Sequence, residues 1–560
     1  MPTKSTTDRR RGRLPRLPTL PPLTFVRATQ RPSINAVRRA FAHPFAPVAG
    51  VALAGVAYLA LRPATADMAA HAFRAWLFDT EGMTVWNAQW YGGHHVLGYS
   101  MLFAPLAAWP GPAWVGVLAA LAATAAFIPL ARAAATSPGA ASAAVWLFAA
   151  GVVSNVVIGR MPFTLGIAFG VAAWLCAERR GPAWKAAAAV LALATVLASP
   201  VAGAFLVLAA AGRAAGSGRE ALAPSAVLAL PVIVGGGAMA VLFPEGGDDR
   251  FVATAFWPML ALAVGGVALL APGRRAFCTA AMLYVAVLVA AFVIPTPFGQ
   301  NALRLPVLLG PVLLVLAPRR GAPRAALAFV LVGLVYLQWV PAVRAVAEAH
   351  GDPSTSAAFY ADPRAFLSRV VQPGQRVEVA FTHNHWEAAH LATVVPLARG
   401  WERQLDEKVN RLFYDGRALT ADRYHRWLLD SGVAYVALPD APLDYSAEAE
   451  AGLLEHGLPY LKLVHRSRDW RIWQVRDAVP PASDGARVTV ATPNGFDVDT
   501  RGPTVVRQRY TRWWRSGSAC LTRAPGGWTR VTPVGADHVV VRAELQGDGG
   551  PSCPQATVAK

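Results

Sequence analysis

Residues 46–341 are a succession of apolar runs broken by Pro, Gly and Arg, while 342–560 read as ordinary globular sequence. Runs of this length and uniform hydrophobicity predict membrane helices. The first run covers 46–62; others fit at 112–131, 139–158, 163–177, 185–198, 200–213, 222–243, 252–271, 276–295, 302–317 and 325–341, about eleven spans in all, several of them short. Between the first two, MLFAPLAAW (101–109) is apolar but too short to cross and reads as a re-entrant or interfacial piece. In the C-terminal part, strand-like runs (Arg376 to Phe381, Val433 to Leu438, Arg471 to Val475) alternate with helical stretches (Thr420 to Ser431, Ser446 to His456), the pattern of a small α/β unit. After Pro480-Pro481, residues 486–545 show short alternating strands with Gly and Pro turns, a compact β domain. The fold class expected is a multi-pass α-helical membrane protein with an extracytoplasmic C-terminal α/β plus β region. Its divisions are a basic tail (1–45) expected to be disordered, a membrane domain (46–341) with a large first outer loop (63–111), an α/β domain (342–479) and a small β domain (480–560).

Charge sharpens this picture. Only 15% of the 560 residues are charged, against roughly 25% in soluble domains. The net charge of +19 is spread through places where it sets topology: Arg9, Arg10, Arg11, Arg13 and Arg16 in the tail, and Arg179, Arg180, Arg274, Arg275, Arg319 and Arg320 between spans. That placement points to anionic headgroups and away from nucleic acid. Starting inside, the basic connections fall alternately on the cytoplasmic side, provided that 185–213 is split at Ser199-Pro200. An odd number of spans puts the N-terminus in the cytoplasm of a bacterial cell and residues 342–560 outside the plasma membrane. No cleavable signal is expected, because the first apolar run starts late. Of four cysteines, Cys176 and Cys278 lie in apolar runs, whereas Cys520 and Cys553 are placed to form a disulfide in an oxidising compartment.

The candidate chemistry starts in Asp67–Ser100, too polar for lipid and too aromatic for a plain link. Asp67, just beyond the first span, is either a helix cap or a partly desolvated general base. On a helix His71 and Arg74 share its face. Asp79 and Glu81 have the spacing of a short divalent-cation motif or of an ordinary loop pair. Trp86, Trp90 and Tyr91 suit interfacial anchoring and a sugar platform equally, and the adjacent His94 and His95 diverge too much for a strong metal signal. At outer span ends, Arg160 (GRMPFTLG) and Arg304 (FGQNALRLP) point to an anionic partner such as a lipid phosphate, or to snorkelling. Asp248-Asp249 stands where it could oppose them but reads as a solvated turn. In the soluble part, His383, His385, Glu387 and His390 do not have metalloprotease spacing. The string ARGWERQLD offers Arg399, Trp401 and Arg403, side chains suited to sugar or phosphate, or to a surface helix. There is no Walker A loop, GxSxG, zinc CxxC pair or dinucleotide fingerprint, which argues against ATP-driven transport by this chain alone.

With its many spans, acidic first outer loop and outer C-terminal region, the chain resembles the C-type membrane glycosyltransferase superfamily over roughly residues 46–480. It also looks like bacterial integral membrane proteins, sometimes labelled transporters, that share WYGGHHVLGYS, GRMPFTLG and PLARGWERQLD. The first resemblance implies a sugar transferred from a polyprenyl-phosphate donor to an envelope glycan or glycolipid on the outer face. Asp67 would take the place of the catalytic acid, and Arg160 and Arg304 would contact phosphate. Many members carry paired acids at that position, whereas Met68 and Ala69 follow Asp67 here; Asp79 and Glu81 are then alternative acids, with a divalent cation as a possible helper. The competing readings are a transporter or flippase of envelope precursors and a non-catalytic envelope-assembly protein.

Overall fold

The computed structural model describes residues 43–415 and 419–545; nearly all of the basic tail expected over 1–45 lies outside them, as does Cys553. Its helices are α1 (Ala46–Leu61), α2 (Ala66–Glu81), α3 (Phe103–Ala108), α4 (Pro112–Ala134), α5 (Pro138–Ile158), α6 (Met161–Ala177), α7 (Pro182–Ala198), α8 (Pro200–Gly216), α9 (Leu222–Leu242), α10 (Ala253–Leu269), α11 (Arg275–Val293), α12 (Arg304–Leu316) and α13 (Arg324–Ala349). Each expected span holds one helix. Six of them, α4, α5, α9 and α11 to α13, are long and apolar enough to cross a bilayer, with α9 and α12 counted together with the 3-10 turns before them. The α1–α2 pair, bent by 79°, makes a seventh if it counts as one span. The 17-residue helices α6, α7, α8 and α10 extend only about 26 Å each, short of a ~30 Å hydrocarbon core. The protein is therefore a helical membrane protein with six or seven full-length spans among the described residues and four shorter apolar helices.

Proline and serine set many of the helix starts. Proline occupies the first turn of α4, α5, α6, α7 and α8, where its missing N–H costs nothing. Ser199 ends α7 and caps α8, accepting from Ala202 N at 3.3 Å. The break anticipated at Ser199-Pro200 is thus built by a serine cap and a proline that cannot continue the preceding helix.

The soluble part has two layers of architecture. Strands β3 (Arg376–Val379), β4 (Val433–Pro439), β5 (Leu461–Arg466) and β6 (Trp470–Val475) form a sheet of order β3-β4-β6-β5, parallel only between β3 and β4. Helices α14 (Ala361–Val370), α15 (Glu387–His390), α16 (Arg403–Val409), α17 (Ala421–Asp430) and α18 (Glu448–His456) accompany it. Beyond it, β7 (Arg487–Thr492), β8 (Gly495–Asp499), β9 (Thr504–Arg509), β10 (Trp514–Arg515), β11 (Ala519–Arg523), β12 (Trp528–Pro533) and β13 (His538–Ala543) form two antiparallel sheets, β10-β13-β8-β7 and β11-β12-β9. Cys520 on β11 is disulfide-bonded.

The segment between α1 and α4 joins these parts. α2 presents Ala69, Ala70, Phe73 and Leu77 to the α/β core of Val377, Val379, Leu391 and Leu397. The short hairpin β1 (Trp86–Asn87) and β2 (His94–His95) that follows sends Val85, Trp86 and Ala88 into the β-domain core with Phe496, Trp514 and Val541. Helix α3 is the short apolar piece expected over 101–109, and Trp109 beyond it is 95% exposed, in keeping with an interfacial anchor.

Candidate functional site

α2 begins after a sharp left-handed residue, Arg62 (φ 43°), so its first turn lies at the end of the membrane bundle rather than in line with α1. Thr65 is the N-cap; its hydroxyl turns away from the helix and donates to the carbonyl of Ile158 at 2.8 Å. Asp67 follows in the first turn, where the helix dipole favours a carboxylate. It abuts Gly159, whose left-handed backbone (φ +101°) ends α5.

The residues expected to act together do converge. Asp67 and Arg304 lie within electrostatic range of Arg160 and of Tyr99. His71 feels Arg74 and Arg304, and the Arg74 guanidinium sits 3.9 Å over the ring of Tyr99. Arg160 immediately precedes α6 and Arg304 opens α12, packed over Phe163 at 5.2 Å. Among the described residues no carboxylate lies within 4 Å of either guanidinium, and Arg160 Nε is buried without a hydrogen-bond partner. Asp67, Arg160 and Arg304 are half-buried and Tyr99 is 36% exposed, so the group is partly accessible.

Three further side chains join this group: Asp249, Tyr99 and Glu402. Asp249 is a member of the site rather than a solvated turn residue. It accepts from Asn301 Nδ2 at 3.0 Å, and its backbone N–H donates to Thr296 O at 2.9 Å. Burial pushes its carboxyl up to about 6, while Arg304 and the Asn301 contact pull the other way. Glu402 pairs with Arg74 at 3.1 Å; burial raises its carboxyl, and Arg74 offsets part of that rise. The signal for Asp249 is its closeness in sequence to a span end, and for Glu402 its place in the ARGWERQLD string; Tyr99 carries none beyond its place in the aromatic segment.

The string ARGWERQLD is the clamp that holds α2. Trp401 Nε1 donates to the carbonyl of Ala66, next to Asp67, and Trp386 Nε1 to that of Ala64, both at 2.8 Å. Trp401 also stacks on His385 at 3.5 Å. Arg403 binds Asp444 through both terminal nitrogens at 3.0 and 2.7 Å. Arg399 is 1% exposed and faces inward, bonded to Asp406 at 2.6 Å beside Glu378 and Glu450. Its guanidinium organises a buried carboxylate cluster far from solvent.

The remaining candidates lie elsewhere. Asp79 is exposed and Glu81 half-buried at the far end of α2, twelve residues and about 18 Å of helix from Asp67. Trp90 is fully buried and stacks on Phe73 at 4.3 Å. Trp86 meets Trp514 edge-on at 5.6 Å. Tyr91 donates its hydroxyl to Gly400 O and accepts from Glu402 N. His94 pairs with Asn87 at 2.9 Å, and His95 bridges Glu245 at 2.6 Å and Thr511 at 3.1 Å. These aromatics and histidines join the segment after α2 to the α/β unit and to the β domain. Among the described residues no three His, Cys, Asp or Glu side chains are grouped to hold a metal ion.

No protein-family model matches the chain, and no curated protein sequence matches it. Among solved structures it is similar to the crystal structure of ArnT from Cupriavidus metallidurans bound to undecaprenyl phosphate, at 13% identity. That match covers 77% of this chain and 98% of the other with a TM-score of 0.38.

Proposed function

We propose that the protein is a membrane glycosyltransferase that moves a sugar from a polyprenyl-phosphate donor to an envelope glycan or glycolipid on the outer face. The observation that carries this reading is the pair Arg160 and Arg304, two guanidinium groups that among the described residues have no acidic partner within 4 Å, gathered half-buried with Asp67 at one end of the bundle. Arginine forks in a partly desolvated place suit a phosphate. In the proposed reaction Asp67 takes the proton of the acceptor hydroxyl, whose oxygen then attacks the anomeric carbon. The bond from that carbon to the phosphate oxygen breaks, and the electron pair leaves with the polyprenyl phosphate. Arg160 and Arg304 meet the charge that grows there, the kind of stabilisation that dominates such displacements. Asp249 lies within electrostatic range of Arg304 and adds to the field at the phosphate position, and the partly exposed Tyr99 offers a surface for a sugar ring. Asp79 and Glu81, about 18 Å or more away along α2, take no part in this reaction.

The test is transfer by the purified full chain from a radiolabelled polyprenyl-phosphate sugar, alongside complementation of a deletion strain. Asp67→Asn should lower turnover by roughly 100-fold or more, the usual contribution of a general base, with normal expression and membrane insertion. Arg160→Gln and Arg304→Gln should each cost roughly 100-fold, as the loss of one charge-stabilising donor does. Full activity of Asp67→Asn with loss in Asp249→Asn would move the base to Asp249. Full activity of every variant would overturn the assignment in favour of transport or assembly.

A further inference from the structure

At the opposite end of the bundle a cavity of about 370 Å³ opens between the last turns of α8 and α10 and the first turns of α11. Because α11 runs 19 residues from this cavity toward the loop beside Asp249, the two sites are about 28 Å apart. The cavity wall is apolar, with Val267 and Met282, and its rim carries Arg275, Arg319, Cys278 and Thr279. The wall is closed on one side by close backbone approach: a Cβ on Gly216 would lie 2.4 Å from the Cα of Ala276, so α8 and α11 touch without side chains between them.

Both arginines are exposed, and among the described residues neither has a carboxylate within 4 Å. Arg319 is also fixed in position. Its backbone N–H donates to Leu269 O at 2.8 Å, and Ala271 N donates to Ala317 O at 2.9 Å, so the α12–α13 turn is stitched to the end of α10. Two helix C-termini face this cavity and disfavour an anion on their own. Arg319 answers one of them, donating to Ala268 O at 3.5 Å, and the N-terminus of α11 adds an opposing dipole. A pair of uncompensated cations above an apolar slot at a bilayer surface fits an amphiphile with an anionic phosphate.

We propose that this cavity binds the phosphate headgroup of an anionic phospholipid, with acyl carbons against Val267 and Met282. The site contains its own reporter. Cys278 is a free, half-buried thiol that lines the cavity, whereas the other free cysteine, Cys176, lies outside its lining. The full chain in neutral detergent is treated with a small maleimide, and modification of the Cys278 peptide is followed by mass spectrometry, with Cys176 as internal control. Phosphatidylglycerol is expected to slow modification of Cys278 selectively, while phosphatidylcholine does not. In Arg275→Gln/Arg319→Gln the concentration for half-protection should rise roughly thirty-fold, about tenfold or less per lost charge. Equal protection by phosphatidylcholine, unchanged protection in the double variant, or equal protection by inorganic phosphate alone would overturn the proposal.

Discussion

Gly159→Ala is the change that most directly asks whether the first turn of α2 is held where the chemistry needs it. Gly159 ends α5 at φ +101°, and a Cβ there would stand 2.9 Å from Thr65 Oγ1, 3.1 Å from Met68 Cγ and 3.2 Å from Asp67 Cβ. Ordinary contact begins near 3.4 Å, so the α2 start must retreat by several tenths of an ångström. Left-handed backbone costs alanine about 1–2 kcal/mol. Overpacking adds about 1–3 kcal/mol, and strain on the Thr65 to Ile158 hydrogen bond up to about 1 kcal/mol more. These contributions overlap, because the retreat that relieves the contact also weakens the bond; a net loss of about 2–4 kcal/mol is the outcome expected.

The control is Gly181→Ala, also at a positive φ (+110°, with ψ 154°) but with nothing within 4 Å of the new methyl group. It carries backbone strain alone, about 1–3 kcal/mol, at a site remote from Asp67. Thermal unfolding in detergent should therefore rank wild type above Gly181→Ala above Gly159→Ala. Transfer activity at a temperature where all three are folded should fall only in Gly159→Ala, since displacement of a reacting group by a fraction of an ångström is costly to rate. Equal stability and equal activity of the two variants would refute the claim that Gly159 positions Asp67.

Three further outcomes are expected. Arg74→Ala strips the partner from the buried Glu402 and should cost about 3 kcal/mol; Arg74→Ala/Glu402→Gln, measured by the same unfolding assay, should recover part of it, and no recovery would count against the pair. Trp401→Phe keeps the stack on His385 but loses the donor to Ala66 O, a loss of about 1 kcal/mol accompanied by reduced transfer, whereas unaltered kinetics would leave Trp401 as packing only. Burial and mutual repulsion hold the carboxyl of Glu378 far above its ordinary range, and burial takes Glu450 up to about 7. Since both folded-state values exceed the unfolded value of about 4.3, their contribution is full at low pH and is lost as pH rises from there through about 7. Glu378→Gln removes one of these titrations, so its unfolding midpoint relative to wild type should climb between pH 5.5 and 8; a constant difference would contradict the account.

Helix placement was legible in the sequence because proline, glycine and arginine punctuate the apolar runs. Uniform hydrophobicity locates a helix without saying whether it spans, which is why α6, α7, α8 and α10 read as spans yet are 17 residues long. The shared face of Asp67, His71 and Arg74 was legible too, since 3.6-residue periodicity needs no distant partner. What could not be read were roles settled by contacts hundreds of residues away. Trp86 looks like a sugar platform until Trp514 is found against it. Arg399 looks like a phosphate ligand until Glu378 and Glu450 surround it. Asp249 looks solvated until the 296–301 turn folds over it.

The aromatic segment after α2 and the ARGWERQLD string answer one mechanical problem. The proposed acid Asp67, on a helix beyond a 79° bend, has little to hold it, because lipid offers no directional contacts and α1 cannot transmit its orientation through Arg62. The chain fixes that helix from two sides. Below, Gly159 and Ile158 receive Thr65 and Asp67; above, Trp386 and Trp401 take the carbonyls of Ala64 and Ala66, and Glu402 takes Arg74. Tyr91 then bonds to Gly400, and the loop carrying Asp249 is tied across by Glu245 to His95 and by Lys408 to Glu245 O. Together these ties link the membrane helices, the segment after α2 and the C-terminal region, so Asp67, Arg160, Arg304 and Asp249 are referenced to one frame. On this account the C-terminal region contributes position rather than chemistry: removing a tie should lower the transfer rate even at temperatures where the variant remains folded.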